Sequence, residues 1–342
     1  MSSIGILGFI VWAWWAQKNF AICWNGLKNS VEIATLNLGW LGYVEKSELL
    51  SNQQEIFKRK SSSETYTQSP SKNKIIDTAK PQHIKHYELN FIEWLVGFVE
   101  GDGSFAVNSK TGQVSFIITQ KDPKVLYYIR KKLGFGKVYL CKDTYYRYIV
   151  SNKKNLGYLI ELISGRLILN KTDLKFKKWV KAYTERYELD LPEIKNNSKI
   201  IKKDSAWLSG LIDAEGCFNA VQRSGRSTFR VRFILSQKDE YEILSQLPHI
   251  WEEKSKMGHI AKNKKNIVRY TMDSIKTLQY LNKYLEQYPL HSNKNIAYVK
   301  WMKLFRVIED GGRGKTYTEL KSMAESINKL EGEDKVQNLE KY

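Results

Sequence analysis

One unit is written twice in this chain, and the duplication limits the fold more than any other feature. Trp94 to Phe105 reads WLVGFVEGDGSF, and Trp207 to Phe218, 113 residues on, reads WLSGLIDAEGCF. Phe116 to Asp122 (FIITQKD) returns 117 residues later as Phe233 to Asp239 (FILSQKD). A basic, helix-like segment closes each unit, NKTDLKFKKWV from Asn170 and NKNIAYVKWM from Asn293, at an offset of 123. Three matched segments in the same order imply a tandem duplication.

Each unit reads coarsely as helix, two strands, helix, two strands, helix. The motif segment is apolar at helical spacing from Phe91 to Val99 and is then broken by Gly101 and Gly103. Phe105 to Asn108 and Val114 to Gln120 read as strands with a turn at Lys110-Thr111-Gly112. Asp122-Pro123 starts a helix over Lys124 to Leu133, because Pro is tolerated in a first turn. Tyr145 to Val150 and Val268 to Met272 supply later strands. A polar helix is expected from about Thr318.

The boundaries follow from composition. Residues 1–50 hold an apolar N-terminal segment and 51–86 a linker rich in Ser, Lys, Gln, Asn and Thr. The two halves span 87–191 and 205–310, joined by 192–204 and followed by a tail at 311–342. Ile4 to Ala16 is apolar over 13 residues, short of the roughly 20 that a membrane-spanning helix needs. A membrane protein is therefore disfavoured. Cys23, Cys141 and Cys217 are scattered without a CxxC pair, which argues against a disulfide framework or a zinc ribbon.

Charge narrows the partner. Lys and Arg number 55 against 36 acids, a net charge of +19, and the excess lies in both halves rather than in a tail. Such an excess favours a polyanionic partner, either nucleic acid or an anionic membrane surface, with a merely solvated basic surface as the alternative.

The motif helices place small residues four apart, Gly97 and Gly101, then Gly210 and Ala214. Such positions share a face and let another helix approach closely, and the obvious partner is the other copy. Crossing there would join the acidic ends, Glu100 and Asp102 with Asp213 and Glu215. Carboxylates at helix C-termini oppose the macrodipole, so a cation between them is the natural remedy. Hard oxygen ligands suit magnesium, with manganese as a substitute. Metal held between such acids and a phosphate can activate water and stabilise a leaving oxygen. The bland alternative, acids capping a tight Gly turn, would suit one copy better than two.

WLVGFVEGDG and WLSGLIDAEG resemble the two signatures of the LAGLIDADG homing endonucleases in their double-motif, single-chain form. The resemblance covers about residues 87–310. It implies an α/β (α+β) fold of two pseudo-symmetric αββαββα half-domains, whose antiparallel DNA-binding sheets form a saddle. It further implies metal bound by Asp102 and Glu215 with help from the carbonyls of Gly101 and Ala214, while Glu100 and Asp213 pack at the helix junction. Gln120 and Gln237, which end matching strands, would position water. Lys171 and Lys294 begin the terminal helices and are candidates for stabilising transition-state charge, with a plain phosphate contact or a solvated face as the alternative. The activity implied is site-specific cleavage of both DNA strands by a monomer, with no small-molecule substrate. Glu215 stands where Asp is commoner, which puts equal rates on the two strands in doubt.

The strands offer a surface for reading bases. Arg230 and Arg232 alternate with Val231 and Phe233, so one face is basic and the other apolar. Arg147, Arg269, Asn108 and Asn219 occupy comparable strand positions. Arg and Asn on a β-ribbon can read guanine and adenine edges in the major groove. Trp94, Trp207, Phe105 and Phe218 are expected in the core.

The string SIGILGFIVWA resembles a transmembrane exon fragment of cytochrome c oxidase subunit I. That implies an intron-encoded reading frame and a mitochondrial location. The rival function is an RNA-binding maturase that assists splicing of its own intron RNA, alone or as a second activity.

Overall fold

The computed structural model describes residues 87–329, apart from 143, 191–193, 196–197, 225–226 and 252–255. The expected segments at 1–50 and 51–86 lie outside the described residues.

The first half runs α1 (Leu89–Asp102), β1 (Gly103–Val107), β2 (Val114–Gln120), α2 (Lys124–Leu133), β3 (Lys137–Cys141), β4 (Tyr145–Val150), α3 (Lys153–Ile163) and α4 (Asn170–Tyr187). The second runs α5 (Trp207–Glu215), β5 (Gly216–Gln222), β6 (Phe229–Lys238), α6 (Tyr241–Leu244), α7 (Leu247–Ile250), β7 (His259–Lys262), β8 (Ile267–Met272), α8 (Ile275–Gln287) and α9 (Lys294–Glu309). A final helix, α10, covers Tyr317–Ser326. The two four-stranded antiparallel sheets have the matching orders β1-β2-β4-β3 and β5-β6-β8-β7.

Three details differ from the sequence expectation. Each half carries one helix more than αββαββα, because α3 and α8 precede the terminal basic helices. The single helix α2 is matched by two short helices, α6 and α7, the latter with Pro248 in its first turn. Helix α1 does not break at Gly101 but continues to Asp102. The interruption comes at Gly103 and Gly216, which leave the helices in extended conformation and start β1 and β5 directly. A Cβ on either would stand 2.6 or 2.7 Å from a carbonyl of the preceding turn, so only glycine makes this corner.

Helices α1 and α5 form the seam between the halves. A Cβ on Gly97 would lie 1.9 Å from the Trp207 carbonyl oxygen, and one on Gly210 would lie 1.9 Å from that of Trp94. The contact is thus backbone to backbone and reciprocal, as a twofold-related interface requires. Around it each sheet buries one face: Phe116, Ile118, Tyr148 and Val150 in the first, Val231, Phe233, Leu235 and Tyr270 in the second. Burying a side chain of this size stabilises by roughly 1.5–3 kcal/mol, so these alternating positions fix the strand register. Trp94, Trp207 and Phe218 are core residues as expected, with Phe105 packed against the core. Among the described residues no helix is long and apolar enough to cross a membrane.

Candidate active site

Crossing of α1 and α5 brings the two acidic ends into contact. A Cβ on Gly101 would meet the Ala214 Cβ at 2.4 Å and the Glu215 Cγ at 3.0 Å. Asp102 and Glu215 therefore end their helices side by side, at the point where each chain enters its sheet.

The remaining two acids take a different part. Glu100 and Asp213 are buried. Glu100 accepts from the Leu169 N–H at 2.6 Å and from the Trp207 indole. Asp213 accepts from the His291 N–H at 2.5 Å, from the Ser292 N–H and hydroxyl, and from the Trp94 indole at 3.2 Å. Each acid thus holds the start of its own terminal helix and the tryptophan of the opposite motif. Burial pushes Glu100 up to about 8, against the pull of those donors, and likewise raises Asp213.

Asp102 accepts from the Gln120 amide at 2.6 Å. Burial raises it to about 6; the Gln120 bond lowers it, and the Glu215 charge raises it further. Glu215 is exposed by surface area, yet enough protein surrounds it for burial to raise its carboxyl too. Gln237 lowers Glu215 only in part. Its amide faces the carboxylate, but its nitrogen is buried without closing a hydrogen bond of good geometry.

The lysines do not form a pair. Lys294 reaches inward and donates to the Ala214 carbonyl at 2.8 Å. Burial pulls its ammonium down from the ordinary lysine value, opposed by Asp213, Asp102 and Glu215. Lys171 is exposed, and its backbone N–H donates to Glu240 at 2.7 Å. The packing explains why. Phe105 contacts Phe176 and Trp179, while Phe218 contacts Tyr298 and Trp301, so the terminal helices superpose at an offset of 122 residues, not 123. The acid contacts at Leu169 and His291 keep the same offset. The Asn-Lys match is out of register by one, and Lys294 corresponds to Thr172.

A cavity of about 400 Å3 opens beside the acids, lined by Asp102, Gln120, Lys121, Asp122, Asn293 and Lys294 among others. Asp122 was expected only to start α2, and its Oδ1 does accept from the Lys124 N–H at 2.7 Å. Its second oxygen accepts from the Asn293 amide of the other half. In return Glu240 accepts from the Asn170 and Lys171 N–H groups at 3.1 and 2.7 Å. The loop after each glutamine strand therefore clasps the opposite terminal helix. The clasping acid is Asp122 of the first QKD but Glu240, one residue past the second, so the repeat marked the loop and not its cross-half role.

On the open sheet faces, Arg147 stacks over Tyr145 at 5.2 Å, with its Nε buried and unpaired. Arg230 pairs with Asp273 at 3.2 Å, Arg232 donates to Asn219 at 3.3 Å, and Arg269 is exposed opposite Ser236. These share open faces as expected. Asn108 does not; it sits in the turn after β1, where its Oδ1 accepts from the Lys110 and Thr111 N–H groups. Lys137 and the 47% exposed Tyr139 on β3 also lie on the open face and were missed, because an edge strand of mixed polarity carries no clean alternation.

Two matched halves, a central pair of carboxylates and two sheets with basic open faces define a class of duplicated single-chain proteins built around one shared seam. The LAGLIDADG endonuclease profile matches residues 95–183 and 208–305, and the chain belongs to that family. A probable intron-encoded endonuclease 4 from Neurospora crassa is 36% identical over 228 residues, 64% of this chain and 40% of that protein. An uncharacterized cox1 intron-2 protein from Schizosaccharomyces pombe is 27% identical, over 67% of this chain and 70% of that one. An intron-encoded RNA maturase, bI4, from Saccharomyces cerevisiae is 30% identical over 49% of this chain and 25% of its own length. The chain thus spans well under half the length of the first and third of these relatives. A crystal structure of the meganuclease I-AabMI bound to uncleaved DNA shares the fold, with a TM-score of 0.53 and 19% identity, covering 69% of this chain and 99% of that one.

Proposed function

We propose that this chain is a monomeric, divalent-metal-dependent endonuclease that cuts both strands of DNA at an intron insertion site. The observation that carries this reading is the contact of the helix ends bearing Asp102 and Glu215 at the seam of a duplicated fold, below two basic sheet faces.

The donor set suits magnesium, with manganese as a substitute. Among the described residues no group of three or more His, Cys, Asp or Glu side chains is gathered. Magnesium is commonly held by one or two carboxylates completed by water and substrate phosphate, and Asp102 with Glu215 meets that need. The carbonyls of Gly101 and Ala214 lie beside them; that of Ala214 already accepts from Lys294. Metal at this place would offset the charge of the phosphate and lower the pKa of water. The remaining work falls to side chains. Gln120 and Gln237 orient water, and Lys294 stabilises negative charge on the phosphate oxygens. Arg147, Arg230, Arg232, Arg269 and Asn219 contact the duplex from the open faces, whereas Asn108 would do so only from the turn.

The oxidase-like string at the N-terminus and the cox1 intron relative support an origin in a mitochondrial oxidase subunit I intron, and hence action in the mitochondrion. The test is incubation with a plasmid carrying the uninterrupted oxidase coding sequence and magnesium. Linearisation at one position is expected. Folded protein that binds the intron RNA and cuts no DNA would favour the second reading, a maturase, for which the bI4 similarity speaks.

A further inference from the structure

One helix lies outside the duplicated pattern. Among the described residues α4 runs on towards α5 with no helix between, whereas α9 is followed by α10. Helix α10 runs beside β5, from the turn end of the β5–β6 hairpin back towards the acids. At its start the Tyr317 ring stacks on Phe229 at 6.0 Å, and the Tyr317 hydroxyl donates to the Gln222 side chain at 3.0 Å. Leu320 and Ile327 are buried. Just past the helix the Asn328 amide donates to the Phe218 carbonyl at 3.1 Å, close in sequence to Glu215. The Lys300 ammonium donates to the Lys329 carbonyl at 2.7 Å.

Cover for an edge strand accounts for the apolar side of α10, because β5 is an edge of its sheet and bare edges invite pairing with other chains. It does not account for the place that residues 327–329 reach. Ile327, Asn328 and Lys329 line the same cavity of about 400 Å3 as Asp102. Two other carboxylates on that cavity, Asp122 and Asp213, are taken up by donors at Asn293 and at His291 and Ser292. Lys121 and Lys294 already line it, and Lys329, exposed at the rim, brings a third ammonium from a third element. Such a gathering of cations suits consecutive phosphodiesters, each of which carries one negative charge.

We infer that α10 is a working part of the DNA-binding surface and that Lys329 contacts a phosphate of the bound duplex beside the cavity. The inference rests on the endonuclease reading above. A contact of this kind fixes the register of the duplex over the acids and carries no sequence information.

The test counts phosphate contacts. Each cation that neutralises a phosphate releases condensed counterions and steepens the fall of log affinity with log salt by about 0.9. Binding of the full chain to a duplex spanning the cut position is followed in calcium over a range of sodium chloride concentrations. Lys329→Gln should flatten the slope by about 0.9, and Lys329→Arg should keep the wild-type slope. The bond from Lys300 uses the Lys329 backbone carbonyl, so neither change removes an anchor of the tail, and thermal melts should match wild type. Lys178→Gln is the reference for charge removed elsewhere. Lys178 is exposed on α4, which packs behind the first sheet, and its loss should leave the slope unchanged. An unchanged slope for Lys329→Gln, or equal flattening by Lys178→Gln, would overturn the inference and leave α10 as a cover for β5. Wild-type protein that neither binds nor cuts the duplex would instead overturn the endonuclease reading, and the phosphate contact with it.

Discussion

The indole nitrogen of Trp94 donates to the Asp213 carboxylate at 3.2 Å, between residues 119 positions apart. The reciprocal bond runs from Trp207 to Glu100. Each motif helix therefore supplies both the acid and the donor that lock it to its copy.

Loss of this donor should cost stability before it costs chemistry. Trp94→Phe leaves the buried Asp213 carboxylate short of one partner, and an unmet buried acceptor costs about 1–3 kcal/mol. Urea unfolding should show that loss, with Trp207→Phe giving a similar one. Unchanged unfolding midpoints would mean that the backbone donors at His291 and Ser292 suffice alone.

The glycine contact should tolerate even less. Gly97→Ala places a methyl 1.9 Å from the Trp207 carbonyl oxygen, which neither backbone can vacate without parting the halves. Overpacking of this kind costs about 1–3 kcal/mol and occasionally more, and a rigid backbone neighbour argues for the upper end. Gly210→Ala should match it. Thermal melts close to wild type would show that the helices slide freely.

Asp102 gives a pH signature. Its carboxyl is raised from 3.8 to about 6. Between those values the folded chain binds more protons than the unfolded one, so this group's contribution falls as pH rises through that window. In chelator, Asp102→Asn should therefore melt above wild type at pH 7.5, with the gap closing towards pH 4. Added magnesium should raise the wild type and not the variant. A variant that melts lower at pH 7.5 in chelator would show that the ionised carboxylate stabilises the seam unaided.

Arg232 lies on the open sheet face beside Asn219, at a position suited to base reading. Arg232→Ala should weaken target binding by roughly 1–3 kcal/mol and relax preference at one base position. A uniform loss over all sequences, with a shallower salt dependence, would assign it to a phosphate instead.

The duplication, the seam and the meeting of the acidic helix ends were legible because each rests on a short-range pattern present in both copies. Helix α2 and strand β4 have the bounds that Asp122-Pro123 and the alternating YYRYIV imply. The terminal lysines were not legible. The repeated Asn-Lys pair aligned two short strings, whereas the true register comes from Phe105 and Phe218 packing against helices some 70 or 80 residues away. The clasp between Asp122 and Asn293 escaped for the same reason, since its partners are 171 residues apart and local pattern carries no signal over that distance. Asn108 was misplaced because a side chain that can hydrogen-bond its own turn competes with a place in the strand.

The most direct measurement compares cleavage and binding for Asp102→Asn and Glu215→Gln on the same target in magnesium. Both variants should bind with nearly wild-type affinity and fail to make the double-strand break, because in the proposed centre the carboxylates would hold the metal and not the DNA. Cutting at wild-type rates by either variant would contradict a centre built on those two acids.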